Sequence, residues 1–409
     1  MHVVIFEDSL WPAFAPFSLS RPTFCLATGM TTLLARQIRH LRPTRLTLWV
    51  RPEFADFCRQ RVAPETGVPT TVNEPLGAEP VLLVHGRSTF TADAEIPSLE
   101  STASVEGTVV AAMATSPGLL PQDALGASPR WMALLKQPAM AWPGRLVASA
   151  VDLIYGNDKA LVDDFQYLPS PSFPMPAGPY HLVAETDIWL GRDVTLSAGC
   201  VVDASKGPVV ISEGAMIGSN AVVQGPCYIG PGSAISPLAL IRPGNTIGPM
   251  CKIGGEVSLS IFSGYANKAH EGFLGHSYIG RWVNLGAGTT TSNLKNTYGE
   301  ITLRRGKTEI AAGRRFLGSL IGDHSKTAIL TRLMGGSYIG FSSMLAGAGH
   351  SPRFVPSYTF LTDRGSHNYE MDKAIEVAQR IFSRRSRAWT DTDEQIMHYV
   401  AAAAPAVEA

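Results

Sequence analysis

The sequence predicts an α/β N-terminal domain, then a parallel β-helix of hexapeptide repeats, and a C-terminal helix. Strand and helix signals alternate over the first part of the chain. An aliphatic residue recurs at every sixth position between 211 and 253, and apolar residues lie at helical spacing over 369–384. From these patterns we predict domains at 1–175, 180–350 and 351–400.

The six-residue register is the strongest of these signals, because neither a helix period of 3.6 nor a strand period of 2 produces it. It comprises Ile211, Ile217, Val223, Ile229, Ile235, Ile241, Ile247 and Ile253. Each hexapeptide would form one face of a triangular coil, and stacked coils would share the inward aliphatics as a continuous core. Chance spacing is a poor alternative, because all of these successive positions are β-branched. Glycines after several of the aliphatics suit the corners.

The register continues on both sides of this run, and its interruptions predict loops. Its further members are Ile188, Val194, Phe273, Ile279, Leu285, Ile321, Leu333, Ile339 and Leu345, with Thr327 as the polar member. We expect residues 203–208, 261–272 and 290–316 to project from the prism as loops. Loops on a repeat scaffold commonly carry function.

The first domain is predicted from short elements in alternation. Strands are expected at 2–6, 45–50 and 81–84, helices at 31–41 and 52–62, and a further strand within 104–115. A helix is expected at 143–165, and the proline-rich residues 166–180 are read as the linker. Ligands on parallel sheets bind beyond the carboxyl ends of the strands, which here carry Glu7, Asp8, Gly86 and Arg87.

The end of the chain is expected to be helical over 369–384 and disordered over 401–409. Arg384, Arg385 and Arg387 lie near the end of the predicted helix. Cations there suit the helix dipole. A phosphate-binding role is the alternative to a solvated basic face.

Composition excludes several classes of function. The 34 Lys and Arg residues balance 34 Asp and Glu residues, so nothing indicates bulk nucleic-acid binding or an anionic membrane surface. The five cysteines (Cys25, Cys58, Cys200, Cys227 and Cys251) are scattered and form no CxxC pair, which favours a reducing compartment. The N-terminus lacks the pattern of a signal peptide, and no run of eighteen apolar residues predicts a membrane span. We therefore expect a cytoplasmic protein without membrane or nucleic-acid partners.

Two segments of the repeat region carry candidate chemistry. Residues 264–275 combine glycines with Asn267, Lys268 and His270, and residues 284–296 contain Gly286-Ala287-Gly288 between two asparagines. A histidine titrates near neutrality and suits a general base. A solvated loop histidine and corner-capping asparagines are the structural alternatives.

This block resembles the acetyltransferase half of the bifunctional N-acetylglucosamine-1-phosphate uridylyltransferase/glucosamine-1-phosphate N-acetyltransferases. Aligned on residues 283–289, the catalytic histidine of that family falls on His270, and its two asparagines fall on Asn284 and Asn293. The resemblance implies a left-handed prism, acetyl-CoA as co-substrate and a homotrimer with acyl sites between neighbours. It also makes Gly286 and Ala287 part of the acyl site, and Lys268, Arg242 and Lys295 candidates for sugar phosphate.

The chain resembles one bacterial branch of sugar nucleotidyltransferases, with an alternative N-terminal domain, more closely than it resembles the bifunctional enzymes. The resemblance runs almost end to end and rests on the segments 6–8, 20–22, 86–87, 206–208, 254–257, 267–275, 292–296 and 322–326. It implies a nucleotidyltransferase-like first domain that binds nucleotide through Asp8, Arg21, Gly29, Gly86 and Arg87, with Mg²⁺ on Asp8. The expected substrates are a sugar phosphate, a nucleoside triphosphate and acyl-CoA, and the product is a nucleotide sugar for cell-envelope polysaccharide.

Several residues depart from the family patterns. Phe273 stands where the bifunctional enzymes have tyrosine, His276 where they have aspartate, and Ser258 or Ser260 where they have lysine. The usual pyrophosphorylase fingerprint, Gly-x-Gly-Thr-Arg followed by Lys-Pro, is absent, and the alternative branch has other residues at Ala27 and His85. These departures leave open whether both halves are active, and which sugar and nucleotide they take.

Two other functions remain in view. A prism-type metal hydratase would need three histidine ligands, but the spacing of His270, His276, His324 and His350 is not the tight pair-plus-one pattern. A non-catalytic scaffold that keeps sugar-nucleotide binding is the other alternative.

Overall fold

The structure is a computed structural model that describes residues 1–90, 94–115, 121, 140–170, 176–347 and 349–409. Within these ranges it contains the predicted α/β domain, the three-faced prism and a C-terminal helical extension. Part of the predicted linker, residues 171–175, lies outside the described residues.

The N-terminal domain is built on a mixed sheet. Its strands are β1 (His2–Phe6), β2 (Ala27–Thr28), β3 (Thr31–Thr32), β4 (Arg45–Trp49), β5 (Thr70–Val72), β6 (Pro80–His85), β7 (Ser88–Phe90), β8 (Ser101–Val105), β9 (Thr108–Thr115), β10 (Met140–Ala141) and β11 (Gly144–Leu146). The spatial order in the sheet is β10-β8-β9-β6-β1-β4-β5, and the short pairs β2–β3 and β7–β11 flank it.

The central strand β1 has parallel neighbours on both sides, β4 and β6. All five of its residues are buried, as expected for a strand covered on both faces. Helix α1 (Leu33–Leu41) covers one face, and a mixed helical segment follows over 52–65. The carboxyl ends of β1 and β6 therefore lie side by side, as the sequence predicted.

The prediction of one helix over 143–165 was wrong in its bounds. The segment begins with strand β11 and continues as α2 (Ala150–Tyr155) and α3 (Asn157–Phe165). Ser149 and Asp152 form a capping box at the start of α2, which fixes where the helix begins.

The prism consists of three faces of short strands, which are parallel except for the last pair of face 3, Thr359–Thr362 and Gly365–Asn368. Face 1 contains His181–Val183, Val201–Asp203, Val222–Gln224, Leu240–Ile241, Glu256–Ser258 and Phe273–Gly275, continued by the pair Thr290–Thr291 and Arg332–Leu333. Face 2 contains Ile188–Leu190, Val209–Ile211, Cys227–Ile229, Asn245–Ile247, Ile261–Phe262, Tyr278–Ile279, Ser319–Ile321, Ser337–Ile339 and Phe354–Val355. Face 3 contains Thr195–Leu196, Met216–Ile217, Ala234–Ile235, Lys252–Ile253 and Asn267–Lys268, then Lys326–Thr327, Met344–Leu345, Thr359–Thr362 and Gly365–Asn368.

The inward aliphatics of the register form one continuous core from Ile188 to Val355. Two details of the register differ from the prediction. Leu274 points inward and is fully buried, whereas its neighbour Phe273 is only half-buried. Residues 261–272 do not project as a loop but form two further strands of the wall. The register in sixes is interrupted because the corners between Ile253, Val257 and Phe262 are shorter than elsewhere.

The predicted break at 290–316 does contain a projecting element, the antiparallel hairpin Thr302–Arg305 and Thr308–Ala311. The chain returns to face 2 at Ser319, which pairs with the coils before and after it.

Two C-terminal helices follow the prism, α4 (Met371–Arg384) and α5 (Asp391–Val407). The expectation of disorder over 401–409 was wrong, since α5 reaches Val407 and the carboxylate of Glu408 is buried. That carboxylate accepts hydrogen bonds from the Tyr338 hydroxyl at 2.9 Å and from the backbone N–H of Ser357 at 2.8 Å. The end of the chain is therefore fastened to the prism.

The N-terminal domain rests on face 2 of the prism. The Asn157 side chain on α3 donates to the Thr246 hydroxyl of face 2, and that hydroxyl donates to the carbonyl of Gly29. The Tyr278 hydroxyl of face 2 accepts from the N–H of Ala27 at 2.8 Å. At the next corner, the guanidinium of Arg21 forms a buried ion pair with Asp323.

Among the described residues, no helix is both long and apolar enough to cross a membrane.

Asp323→Ala should loosen the attachment of the two domains. It removes the partner of a buried guanidinium, and leaving a buried charge unpaired costs about 3–5 kcal/mol. Urea unfolding should therefore show a lower free energy of unfolding, or an earlier separate transition of the N-terminal domain. Glu376→Gln, in the exposed Glu376–Arg380 pair, is the control and should cost about 0.5 kcal/mol or less. Equal effects of the two substitutions would contradict the prediction.

Candidate active sites

The predicted acyl site lies at the corner between face 3 and face 1. We call this edge the site corner and define it by the turns 236–239, 254–255, 269–272, 286–289 and 328–331. His270 is exposed in the third of these turns. The next turn lies directly above it, because the Gly288 N–H donates to the Glu271 carbonyl at 3.1 Å. His270 and the Gly286–Gly288 segment are therefore neighbours.

The turn 286–289 is held in a fixed conformation. The Gly286 N–H donates to the Thr327 hydroxyl at 3.0 Å, and the Ala287 carbonyl accepts from the Leu330 N–H at 2.7 Å. A Cβ at Gly286 would lie 2.4 Å from the Ala328 carbonyl oxygen, so only glycine fits there. Among the described residues, the Ala287 N–H has no acceptor within the chain.

Lys268 was predicted to contact sugar phosphate, but the structure places its side chain inside the prism. Only 2% of the residue is exposed. Its ammonium donates to the Gly254 carbonyl at 2.8 Å and to the His270 carbonyl at 3.0 Å. Burial lowers the pKa of Lys268 to about 8, against the opposing charge of Glu271. In this arrangement Lys268 touches the turn that carries His270, and not the outer surface.

Asn284 lies on the outside of face 3 and is exposed. It pairs with Asn267 in the coil before, whose side-chain amide is 3.3 Å from the Asn284 side-chain oxygen. Arg385, just after α4, donates to the Asn267 side-chain oxygen at 2.8 Å. The basic cluster at the end of α4 thus reaches face 3 beside Asn284. No local pattern in the sequence predicts this contact.

The remaining predicted acyl-site residues lie on or near face 1. The Asn293 side-chain nitrogen is 2.9 Å from Nδ1 of His276. Arg242 pairs with Glu256 one coil further along the prism. Phe273 points outward beside Asn293, since a Cβ at Gly275 would meet both side chains. Lys295 is half-buried and forms no ion pair with a described carboxylate. Phe273 begins its face-1 strand next to the site corner, whereas Arg242, His276 and Asn293 follow their face-1 strands, at the edge between face 1 and face 2. The substrate contacts of the predicted residues stay predictions.

In the N-terminal domain, Asp8, His85 and Arg87 come together at the carboxyl ends of β1 and β6. The Asp8 carboxylate accepts from Arg87 at 2.7 Å and 3.1 Å and lies 3.1 Å from Nε2 of His85. Burial would raise the pKa of Asp8, but the hydrogen bonds and charges of His85 and Arg87 outweigh it and hold that pKa well below its usual range. Gly86 fits closely here, because a Cβ would lie 2.7 Å from the Phe6 carbonyl oxygen.

Arg21 and Gly29, also predicted to bind nucleotide, lie instead where the N-terminal domain meets the prism. Arg21 pairs with Asp323, and Gly29 has a positive φ of 60° with its N–H bonded to Asn157 at 2.8 Å. Nearby, Arg51 binds the buried carboxylate of Glu7 at 2.8 Å and stacks on the Trp11 ring at 3.7 Å. The structure therefore brings Asp8, Gly86 and Arg87 together but keeps Arg21 and Gly29 in a separate interface.

The residues around Asp8 do not fit a Mg²⁺ ion. Both carboxylate oxygens of Asp8 are occupied by Arg87 or His85, and Mg²⁺ prefers several unpaired oxygen ligands. Among the described residues there is no group of three His, Cys, Asp or Glu side chains placed to hold a metal. In the described part of this chain, His270, His276, His324 and His350 are likewise not gathered into such a group.

Comparison with known proteins finds matches in both halves of the chain. Residues 3–171 match the family model for sugar nucleotidyl transferases, and residues 208–243 match the bacterial transferase hexapeptide of six repeats. The chain is therefore similar to sugar nucleotidyl transferases in its first part and to hexapeptide transferases within the prism. This confirms the resemblance and the fold class predicted from the sequence.

Three curated relatives are named as bifunctional proteins. A bifunctional sugar-1-phosphate nucleotidylyltransferase/acetyltransferase from Sulfurisphaera tokodaii is 38% identical over 137 residues, which cover 33% of this chain and 34% of that protein. Bifunctional protein GlmU from Ruthia magnifica subsp. Calyptogena magnifica is 35% identical over 111 residues, 27% of this chain and 24% of the relative. GlmU from Marinobacter nauticus is 34% identical over 113 residues, with the same two shares. The homologues are thus transferases, and the matches span between 24% and 34% of their length.

Lys268→Met should flatten the dependence of stability on alkaline pH. The folded protein holds the Lys268 pKa at about 8, below the ordinary value of 10.5. Between these pH values the unfolded chain binds more protons, so the free energy of unfolding rises with pH, by at most about 1.4 kcal/mol per pH unit.

Urea unfolding at several pH values across this window would measure the difference between wild type and variant. Lys252→Met is the matched control, because Lys252 is exposed on the same face one coil earlier. The prediction would be contradicted if the difference in free energy of unfolding between wild type and Lys268→Met stayed constant with pH.

Proposed function

We propose that the protein is a sugar-1-phosphate nucleotidyltransferase, similar to N-acetylglucosamine-1-phosphate uridylyltransferases, whose prism is an acetyl-CoA-dependent N-acetyltransferase for an amino-sugar phosphate. The product would be a nucleotide sugar for cell-envelope polysaccharide. The observation that carries the acetyl-transfer half is the stacking of the exposed His270 turn on the fixed Gly286–Gly288 turn. The five free cysteines fit a cytoplasmic enzyme.

His270 would act as the general base of acetyl transfer. The amine of the sugar attacks the thioester carbonyl, a C–N bond forms, and the amine proton passes to the imidazole. The tetrahedral intermediate then collapses, the C–S bond breaks and the CoA thiolate leaves, taking up a proton. Positioned proton transfer of this kind contributes about 10²–10⁴-fold to the rate.

The oxyanion of the tetrahedral intermediate needs a hydrogen-bond donor. The N–H groups of Gly286 and Gly288 already donate to Thr327 and Glu271. Ala287, between them, keeps its N–H available, so we assign the oxyanion donor to Ala287. Asn284 and Asn293, on either side of the corner, are proposed to orient the two substrates.

A homotrimer is part of the proposal, because the site corner is apolar as well as exposed. Leu238, Ile329 and Leu330 are 72%, 66% and 67% exposed along this edge. Ile329 and Leu330 are adjacent in one turn, and exposed apolar side chains that lie together can mark an interaction surface. A neighbouring copy seated there would cover the leucines and wall the acyl site beside His270.

For nucleotidyl transfer, the supporting feature is the cluster of Asp8, His85 and Arg87 at the strand ends where ligands of parallel sheets bind. The sugar-1-phosphate oxygen attacks the α-phosphorus of the triphosphate, an O–P bond forms and pyrophosphate leaves. Arg87 is proposed to stabilise phosphate charge. No step is assigned to a metal on Asp8, since the residues there do not fit one; Mg²⁺ would enter with the nucleoside triphosphate as part of the substrate.

A second candidate is that only the prism is catalytic and the N-terminal domain serves as a scaffold. The observation that favours it is the engagement of the N-terminal charges with protein partners: Asp8 with Arg87, Glu7 with Arg51, and Arg21 with Asp323. A nucleotide would have to displace at least one of these pairs.

His270→Ala should lower kcat for acetyl transfer about 10²–10⁴-fold, because the amine loses its proton acceptor. The assay would follow CoA release from acetyl-CoA with a panel of amino-sugar phosphates that includes glucosamine-1-phosphate. His367→Ala, an exposed histidine elsewhere on the prism, should retain wild-type kcat. Unchanged turnover in His270→Ala would exclude this residue as the base.

Arg87→Lys should reduce nucleotidyl transfer at least about tenfold and leave acetyl transfer unchanged. Lysine keeps the charge but cannot reproduce the forked contact with carboxylate and phosphate. The full chain would be assayed for pyrophosphate release from UTP or dTTP with sugar-1-phosphates and Mg²⁺. Arg45→Lys, at an exposed ion pair, is the control. A wild-type protein that releases no pyrophosphate with any pair would favour the scaffold candidate.

A further inference from the structure

We infer that Lys268 and Thr327 are positioning residues that hold the two turns of the site corner from inside the prism, without touching substrate. The inference deepens the proposed acetyl-transfer function and rests on it. For Lys268 this role differs from the surface phosphate contact predicted from the sequence. For Thr327 it explains why a polar residue occupies an inward position of the register.

Both residues occupy inward positions of face 3 that aliphatics fill elsewhere. Strand pairing places Lys268 beside Ile253, and Thr327 beside Leu345. The apolar residues at the equivalent positions are Leu196, Ile217, Ile235, Ile253, Leu285 and Leu345. A buried ammonium is costly unless it is well hydrogen-bonded, so a lysine in this column needs a compensating set of contacts.

The contacts of Lys268 join two successive turns of the site corner. Its ammonium bonds the Gly254 carbonyl of one turn and the His270 carbonyl of the next. The space is closely filled, since a Cβ at Gly255 would lie 3.0 Å from the Lys268 nitrogen. The two hydrogen bonds of Lys268 therefore fix the position of the backbone that carries the His270 imidazole.

Thr327 does the same for the following turn. Its hydroxyl accepts from the Gly286 N–H at 3.0 Å and shares a hydrogen bond with the Thr289 hydroxyl at 2.7 Å. These two contacts grip both ends of the turn 286–289, which contains the proposed oxyanion donor at Ala287. Lys268 and Thr327, the two polar residues at inward positions of face 3, thus each hold one of the two turns that the acyl site requires. Leu285 lies between them in the core.

Positioning matters here because proton transfer and oxyanion binding need atoms in place within a fraction of an ångström, and a misplacement of about 1 Å can cost about 100-fold in rate. An internal hydrogen bond fixes a turn without occupying the surface where substrates dock. Loss of either internal contact should therefore lower kcat and leave substrate affinity unchanged.

The kinetic test compares matched variants in the full chain. Lys268→Met keeps an unbranched side chain, one atom shorter, and removes its donors, with Ile253→Met as the control in the preceding coil. Thr327→Val keeps the shape and removes the hydroxyl, and Thr327→Ser restores it. We expect kcat to fall about 10–100-fold in Lys268→Met and Thr327→Val, with KM for acetyl-CoA and glucosamine-1-phosphate within about twofold of wild type. Thr327→Ser and Ile253→Met should remain near wild type.

A rise in KM for the sugar phosphate at unchanged kcat in Lys268→Met would show direct substrate contact and overturn the inference. So would a Thr327→Ser variant as impaired as Thr327→Val, because the hydroxyl would then not be what matters.

A second measurement separates this inference from the proposed function. Backbone amide exchange, followed by mass spectrometry, should be about tenfold faster over 286–289 in Thr327→Val and over 269–272 in Lys268→Met, and unchanged in Thr327→Ser. Failure of the His270→Ala test with these exchange changes present would reject the proposed function but retain the positioning contacts. Unchanged exchange and kcat in both variants, with His270→Ala inactive, would reject the positioning contacts alone.

Discussion

The inward position of every coil must be filled by a side chain that the prism axis can hold, and the rest of the molecule depends on this constraint. Each face contributes only two or three strand residues per coil, so a single inward side chain carries most of the burial of that face. Stacking gives one core from Ile188 to Val355. Polar chemistry is thereby confined to the outer surface, to the corners, and to the few inward positions where a polar group finds partners among the turns.

The N-terminal domain is attached to the prism partly through buried polar contacts. Its sheet edges and helices do not meet the prism through a broad apolar patch alone. Buried polar contacts also join them, from Asn157 to Thr246 and from Arg21 to Asp323. Arg51 extends this network to the last helix through the Tyr399 hydroxyl at 3.0 Å. A buried pair is highly sensitive to loss of one partner, so these residues fix how the three parts of the chain are arranged.

Much of the fold could be predicted because periodicity is a local property of the sequence. The inward column from Ile211 to Ile253, the strands β1, β4 and β6, and the approach of Asp8 to Arg87 all follow from spacing and strand ends. The misplaced assignment of Phe273 arose because the coil lengths change after Ile253, and a register counted in sixes cannot detect a shortened corner. The order of the final residues was missed because their alanine-rich pattern carries no sign of the distant partners Tyr338 and Ser357.

The placement of the N-terminal domain on face 2 has a consequence for how intermediates would move. In a triangular prism, the corner between the other two faces points away from that domain. Within one chain, an acetylated sugar phosphate released near His270 would therefore leave into bulk water before meeting Asp8 and Arg87. The two halves of such an enzyme would therefore not be joined by a tunnel. The released intermediate would mix with the free pool and be available to competing enzymes.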